Sequence, residues 1–227
     1  MYDRNVVFIP MRSGSKSIIN KNIKLFCEKP LFYWGISAAL ACNKFDEIII
    51  STDSTQYAEL VINTFKNAHI KIDLRPLYLA QDKTSTEDVL VEFFERCPEY
   101  KNAMCVLHQI TSPFVKKDDF SLAIQKMHEF HYDTCLSVVN FKRFIWDEHA
   151  SPLNYNPGNR PRRQDMSPYY CENGAIYAFG VQEFLRKKSR LFGEIGFIEM
   201  MDESLIEIDE PLDWTLAEKI FERNSDE

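Results

Sequence analysis

The chain has 227 residues, a formal net charge of -7 and a 45% hydrophobic composition, enough to bury one full core. Seven Gly and ten Pro are too few for a linker-rich or low-complexity chain. The acidic balance argues against nucleic acid as the main partner, and no apolar run approaches the roughly 20 residues that span a bilayer, so no membrane segment is expected.

The start, Met1-Tyr2-Asp3-Arg4, runs directly into a strand, so no leader is expected. That strand is Val6-Val7-Phe8-Ile9-Pro10, apolar throughout. Leu31 to Ala41 carries apolar residues at helical spacing, with Pro30 at its entry. Glu47 to Ser51 reads as a strand covered on both faces. Ser54 caps a helix holding Ala58, Leu60, Val61 and Phe65. Ile70 to Leu74 is the next strand. Thr84 with Glu87 has capping-box spacing and opens a helix with Val89, Leu90, Phe93 and Phe94 on one face. A strand at Met104–Leu107, a helix at Lys117–Phe130 and a strand at Cys135–Val139 follow. The alternation implies an α/β fold, a mostly parallel, doubly wound sheet with helices on both sides. Phe141 to Cys171 is long, aperiodic and rich in Pro, Arg and aromatics, a texture that suits a functional loop or a contact with a partner chain. Beyond it the pattern predicts a strand at Asn173–Phe179, a helix at Val181–Lys187, a strand at Phe197–Met200 and a helix from Pro211 through Ile220. The tail Asn224–Glu227 is expected to fray. The six Cys (Cys27, Cys42, Cys97, Cys105, Cys135, Cys171) form no C-x-x-C pair and read as reduced thiols of a cytoplasmic protein, with no zinc site.

Several segments carry chemistry. Behind the first strand, Met11-Arg12-Ser13-Gly14-Ser15-Lys16 and then Lys21-Asn22 form a small-residue loop ringed by cations, with no acid between them. In an acidic chain such a cluster suits a polyphosphate held on side chains and outward-pointing amides. Neither G-x-x-x-x-G-K-[ST] nor G-x-G-x-x-G is present, which removes support for P-loop and dinucleotide readings. Glu207 and Asp209 flank Ile208 and share one face of an extended segment. The residues alone leave two readings open: oxygen ligands for a hard divalent cation, or acids favoured by the dipole of the next helix. Gln109 to Pro113 follows an inner strand at the edge where such sheets bind ligands. There Gln109 and Ser112 could meet a polar substrate or merely turn the chain, and His108 alone more often satisfies a local hydrogen bond than does catalysis. Arg160, Arg162 and Arg163 could grip a carboxylate or lie in solvent. Arg75 could face a ligand or pair with a local acid.

Taken in order, these segments resemble the acylneuraminate cytidylyltransferases over nearly the whole chain. The likeness rests on Ile9 to Lys16 with Lys21-Asn22-Ile23, Ile49-Ile50-Ser51-Thr52-Asp53, Leu74-Arg75-Pro76, Leu79-Ala80 with Asp82, Gln109 to Pro113, Arg163-Gln164, Asn173-Gly174-Ala175-Ile176-Tyr177 and Ile206 to Asp209. It implies a single cytidylyltransferase domain over 1–227 with a Rossmann-like nucleotidyltransferase sheet. Residues 141–171 would be a dimerisation insertion that crosses to a second subunit, so a homodimer is expected. The implied reaction transfers CMP from CTP to the anomeric hydroxyl of a nine-carbon 2-keto-3-deoxy sugar acid. Arg12, Ser15, Lys16, Lys21 and Asn22 would hold CTP, with Lys21, Arg12 and Asp209 at the chemistry. Arg75 and the stretch from Ala80 to Asp82 would line the nucleotide pocket. Ser85, Gln109, Arg163 and Tyr177 would contact the sugar acid, and Asp209 with Glu207 would hold Mg2+. The chain departs from the family pattern at Glu207 (typically Asp), Ser17 (often Gly), Ile110 (commonly Pro) and Cys171 (usually Arg). The last change removes a cation near the expected sugar site and leaves a relative of sialic acid, such as a legionaminic acid, as a possible substrate.

Overall fold

The computed structural model describes residues 2–66 and 68–225. Asp226 and Glu227, the end of the tail expected to fray, lie outside the described residues, while Asn224 and Ser225 belong to the last helix. In chain order the strands are β1 (Asn5–Pro10), β2 (Leu25–Phe26), β3 (Lys29–Pro30), β4 (Glu47–Thr52), β5 (Ile70–Leu74), β6 (Met104–His108), β7 (Thr134–Asn140), β8 (Tyr170–Gly180) and β9 (Ile195–Met200). The helices are α1 (Leu31–Cys42), α2 (Thr55–Thr64), α3 (Thr86–Arg96), α4 (Lys117–Glu129), α5 (Val181–Lys187) and α6 (Pro211–Ser225). Among the described residues no helix is long and apolar enough to cross a membrane, and all six Cys are free thiols.

Seven strands form one sheet in the order β5-β4-β1-β6-β8-β7-β9. The pairings are parallel except the two made by β8, which runs antiparallel to β6 and β7. The inner strands are apolar throughout because both faces are covered. Along β1, Val7 and Ile9 join one core with Ile36 of α1, Val61 of α2, Phe120 of α4 and Ala217 of α6. Val6 and Phe8 join the other, with Phe93 and Phe94 of α3 and Phe184 of α5. The sheet thus separates two helical layers. Edge strand β9 instead alternates, with Ile195 and Phe197 exposed and Ile198 buried.

Three features depart from the pattern read in the sequence. The late strand β8 inserts between β6 and β7, which follow one another as strands in the chain. A two-strand hairpin, β2–β3, turns through Cys27 and Glu28, both at positive φ (47° and 66°). Such turns usually carry Asn or Gly, so nothing marked it. The capping box of α3 uses Ser85 and Asp88, not Thr84 and Glu87: Asp88 N donates to Ser85 Oγ at 3.0 Å and Ser85 N to Asp88 Oδ2 at 3.1 Å. Both registers fit the spacing rule, and in this one the longer arm of Glu87 is free to take Arg190 through two bonds of 2.5 and 2.9 Å. The 141–171 segment buries no residue. It is organised by its own contacts, with Tyr155 and Arg160 packed on Phe144, each at 4.2 Å.

Candidate active site

The strand order changes direction at β1, whose neighbours are β4 and β6. In open α/β sheets ligands bind beyond the carboxyl ends of strands at such a point. A cavity of about 350 Å³ opens there, walled by the loops after β1, β5 and β6 and by the segment before α6.

The loop after β1 is fixed from below. Met11 N donates to Ser51 O, and Asp53, at the end of β4, takes both Ser13 N (2.9 Å) and Ser13 Oγ (2.6 Å). Ser15 N turns back to Ser13 O. These amides are engaged within the protein, so the loop is less of an open amide nest than its small residues suggest. Its positive character comes from Arg12, Lys16 and Lys21. Asn22 braces it, donating from Nδ2 to Arg12 O at 2.8 Å. Arg12 and Lys16 both reach Asp82, Arg12 at 3.2 Å, and these cations, Lys16 foremost, hold the Asp82 carboxyl below its ordinary range. Lys16 is otherwise exposed, at the rim.

Lys21 is buried, at 9% exposure. Its Nζ donates to Ile208 O at 2.7 Å and to Asp209 Oδ1 at 2.9 Å, joining the cationic loop to the acidic segment. That segment is not a strand. It leaves a 3-10 turn (Asp202–Leu205) and is held by Ile208 N on Thr111 O at 2.8 Å. Glu207 and Asp209 nevertheless line the same cavity. Asp213 takes the helix-capping part, accepting from the amides of Asp209 and Glu210. The protein packed around the Glu207 carboxyl pushes it above the usual carboxylate range; Thr111 opposes this and the charge of Asp209 adds to it. Glu207 keeps an exposed surface on the cavity, which tempers the effect without changing its direction.

Arg75 completes the electropositive wall. Its side chain is 4% exposed, its nearest acid is Asp53 at 4.0 Å, and its Nε has no partner among the described residues. Burial lowers its pKa, with Asp53 and Asp73 opposing. A buried guanidinium short of partners is costly, and a polar or anionic ligand in the cavity would supply one. Gln109 donates its backbone N to Ala175 O and points Nε2 toward Thr86 Oγ1 at 3.5 Å.

Of the residues singled out in the sequence, Arg12, Ser15, Lys21, Asn22, Arg75, Asp82, Ser85, Gln109, Glu207 and Asp209 meet on this cavity. Ser85 does so while its hydroxyl caps α3. Ala80 closes a 3-10 turn between the lining residues Leu79 and Gln81 and is not itself on the wall. Tyr177 is also off the wall: it packs in the core on the α3 side, Arg190 lies 4.7 Å over its ring, and Glu172 accepts its hydroxyl. Arg163 borders a separate cavity of about 510 Å³ with Asn140, Lys142, Gln164, Glu199 and Asp202. Gln81, inside the Ala80 to Asp82 stretch, lines the first cavity as well, and Thr86 and Thr111 are lining residues the sequence did not single out. Neutral polar groups in loops or at helix starts carry no distinguishing signal. Asp53 did carry one, an acid at a buried strand's end.

The sequence model of a family described as Cytidylyltransferase matches residues 6–222. The chain is 34% identical over 215 residues to N-acylneuraminate cytidylyltransferase A of Danio rerio, covering 92% of this chain and 48% of that one. It is 30% identical over 247 residues to CMP-N,N'-diacetyllegionaminic acid synthase of Legionella pneumophila, covering 98% of both. The chain therefore spans about half the length of the N-acylneuraminate relatives it matches. The solved structure of CMP:2-keto-3-deoxy-manno-octonic acid synthetase complexed with CTP shares the fold, with a TM-score of 0.68 at 16% identity over 98% of this chain and 100% of that one.

Proposed function

The chain belongs to the cytidylyltransferase family, and from that premise we propose that it transfers CMP from CTP to the anomeric hydroxyl of a nonulosonic, sialic-acid-like sugar acid. The observation that carries this reading is the buried Lys21, whose ammonium joins the cationic loop to the acidic pair across one cavity. The anomeric oxygen attacks the α-phosphorus. The bond from that phosphorus to the bridging oxygen breaks, pyrophosphate leaves with the electron pair, and the hydroxyl proton passes to water. Arg12, Ser15, Lys16, Lys21 and Asn22 hold the triphosphate, and their fixed positive charge matches the negative charge that builds during transfer. Arg75, Asp82 and the stretch around Ala80 take the nucleoside. Asp82 must give up Arg12 and Lys16 as the phosphates arrive. Ser85 and Gln109 face the sugar acid.

A divalent cation fits this donor set. Glu207 and Asp209 offer oxygen atoms only, on one wall, and Lys21, 2.9 Å from Asp209, eases their mutual repulsion. Among the described residues no group of three or more His, Cys, Asp or Glu is gathered as a ready metal cage. Mg2+ commonly binds through one or two carboxylates and completes its shell with substrate phosphates and water. When bound it would neutralise phosphate charge and orient the triphosphate. We further propose a homodimer in which the 141–171 segment crosses to the second subunit, bringing Arg163 to the sugar acid. The exposed, self-packed character of that segment supports this.

Pyrophosphate release from CTP with Mg2+ and a panel of nonulosonic acids tests the reading. The end-to-end match to the Legionella relative makes a legionaminic acid the first member of that panel, beside sialic acid itself. Release with at least one acid is expected, with turnover in Lys21→Ala lowered by about 100-fold or more. CTP binding without release for any acid would leave a nucleotide-binding protein that performs no transfer.

A further inference from the structure

The ladder between β7 and β8 shifts register around Ser137: Leu136 pairs with Tyr177 and Val138 with Glu172, leaving Asn173 to Ile176 as a bulge. Gly174 lies on it at φ +71°, and a Cβ there would meet Glu207 Oε2 at 3.2 Å. The carboxylate thus rests over bare backbone. Its other oxygen, Oε1, accepts from the Thr111 hydroxyl at 2.8 Å. Thr111 also fixes the main chain beside it, through its carbonyl on Ile208 N at 2.8 Å. One residue therefore holds both the backbone and the side chain of the acidic segment. Glutamate has one more rotatable bond than aspartate and loses more freedom on being fixed, so a carboxylate on this longer arm depends on an anchor.

We infer that Thr111 is a positioning residue: with the bare backbone of Gly174, its hydroxyl sets the Glu207 carboxylate on the same cavity wall as Asp209 and so governs how tightly this pair holds a divalent cation together with CTP. The inference rests on the proposed function. Hydrogen bonds that orient metal-binding carboxylates commonly change metal affinity by about 10- to 100-fold when removed.

The test uses Mn2+ as a paramagnetic probe, titrated into the full chain with CTP and no sugar acid, with free Mn2+ followed by electron paramagnetic resonance. Thr111→Val, which keeps the shape and loses the hydroxyl, should bind Mn2+ about tenfold more weakly. Thr111→Ser, which keeps the hydroxyl, should stay close to wild type. CTP binding without metal should be the same in all three proteins and reports an intact fold. Wild-type affinity in Thr111→Val, or an equal loss in Thr111→Ser, would overturn the inference and leave the proposed function standing. A wild-type protein that binds CTP but takes up no Mn2+ would remove the metal reading itself, and this inference with it.

Discussion

His108 has no exposed surface, although it ends the strand that delivers Gln109 to the cavity. Its Nδ1 donates to Ala175 O at 3.0 Å, and its Nε2, without a hydrogen-bond partner among the described residues, lies against Gly35, where a Cβ would come within 2.0 Å of it. It satisfies a local hydrogen bond, as its setting in the sequence suggests. Burial pushes its pKa down to about 4, from 6.5 for the free side chain. Between these values the unfolded chain binds the extra proton, so stability falls as pH drops from 6.5 toward 4, by a total on the order of 3 kcal/mol. His108→Gln should flatten that slope. Urea midpoints at pH 7 and pH 5 for both proteins check this, and equal slopes would assign the effect to other groups. The charged site residues were legible as clusters, since a single Lys, Arg or Asp in a loop reads equally well as surface charge. Arg12 and Arg75 follow the strands β1 and β5 and Asp209 precedes α6, while Lys21, between Asn20 and Asn22, was legible only with the other cations around Ser13-Gly14-Ser15. Thr111 and Thr86 were not, because a threonine in a loop or at the start of a helix can cap, turn or bind with the same local sequence. Tyr177 lies off this cavity, and its neighbours in the chain say nothing of Glu172 accepting its hydroxyl.

Helices and parallel strands were the easiest elements to read, since Ser54 capping α2 or the uninterrupted Ile48-Ile49-Ile50 of β4 are local signals. Elements set by distant partners were not. The bulge in β8 depends on Ser137, a strand away: Ser137 Oγ accepts from Ile176 N at 2.8 Å and donates to Asn173 Oδ1 at 2.5 Å. Both bonds are buried, and they keep Gly174 beneath Glu207. Ser137→Ala removes the buried Ile176 amide's acceptor and leaves Asn173 Oδ1 with Ala175 N at 3.4 Å, and a buried group that loses its partner costs about 1–3 kcal/mol. Equilibrium denaturation should show that loss. An unchanged midpoint would mean the bulge is held by the ladder on either side instead. The α3 cap teaches the same lesson on a smaller scale. Two overlapping boxes were available, and Arg190, about a hundred residues along the chain, sits where the structure gives Glu87 another partner.

At the scale of the whole molecule, the acidic surface and the cationic pocket are parts of one arrangement. The net charge is -7, yet Arg12, Lys21 and Arg75 converge where the sheet order turns at β1. The doubly wound frame was legible because strand and helix periods alternate cleanly as far as Val139. The mixed end of the sheet was not, because no local feature tells β8 to enter between β6 and β7. The position of Arg163 on its own cavity likewise follows from the path of the 141–171 segment. The central claim is that the β1 loop grips a triphosphate opposite Glu207 and Asp209. The crystal structure of the protein soaked with CTP tests it most directly. The phosphates should lie among Arg12, Lys21 and Asn22, with Asp82 released from Arg12 and Lys16. An empty cavity with Asp82 still on both cations, or CTP bound at another surface, would contradict the account.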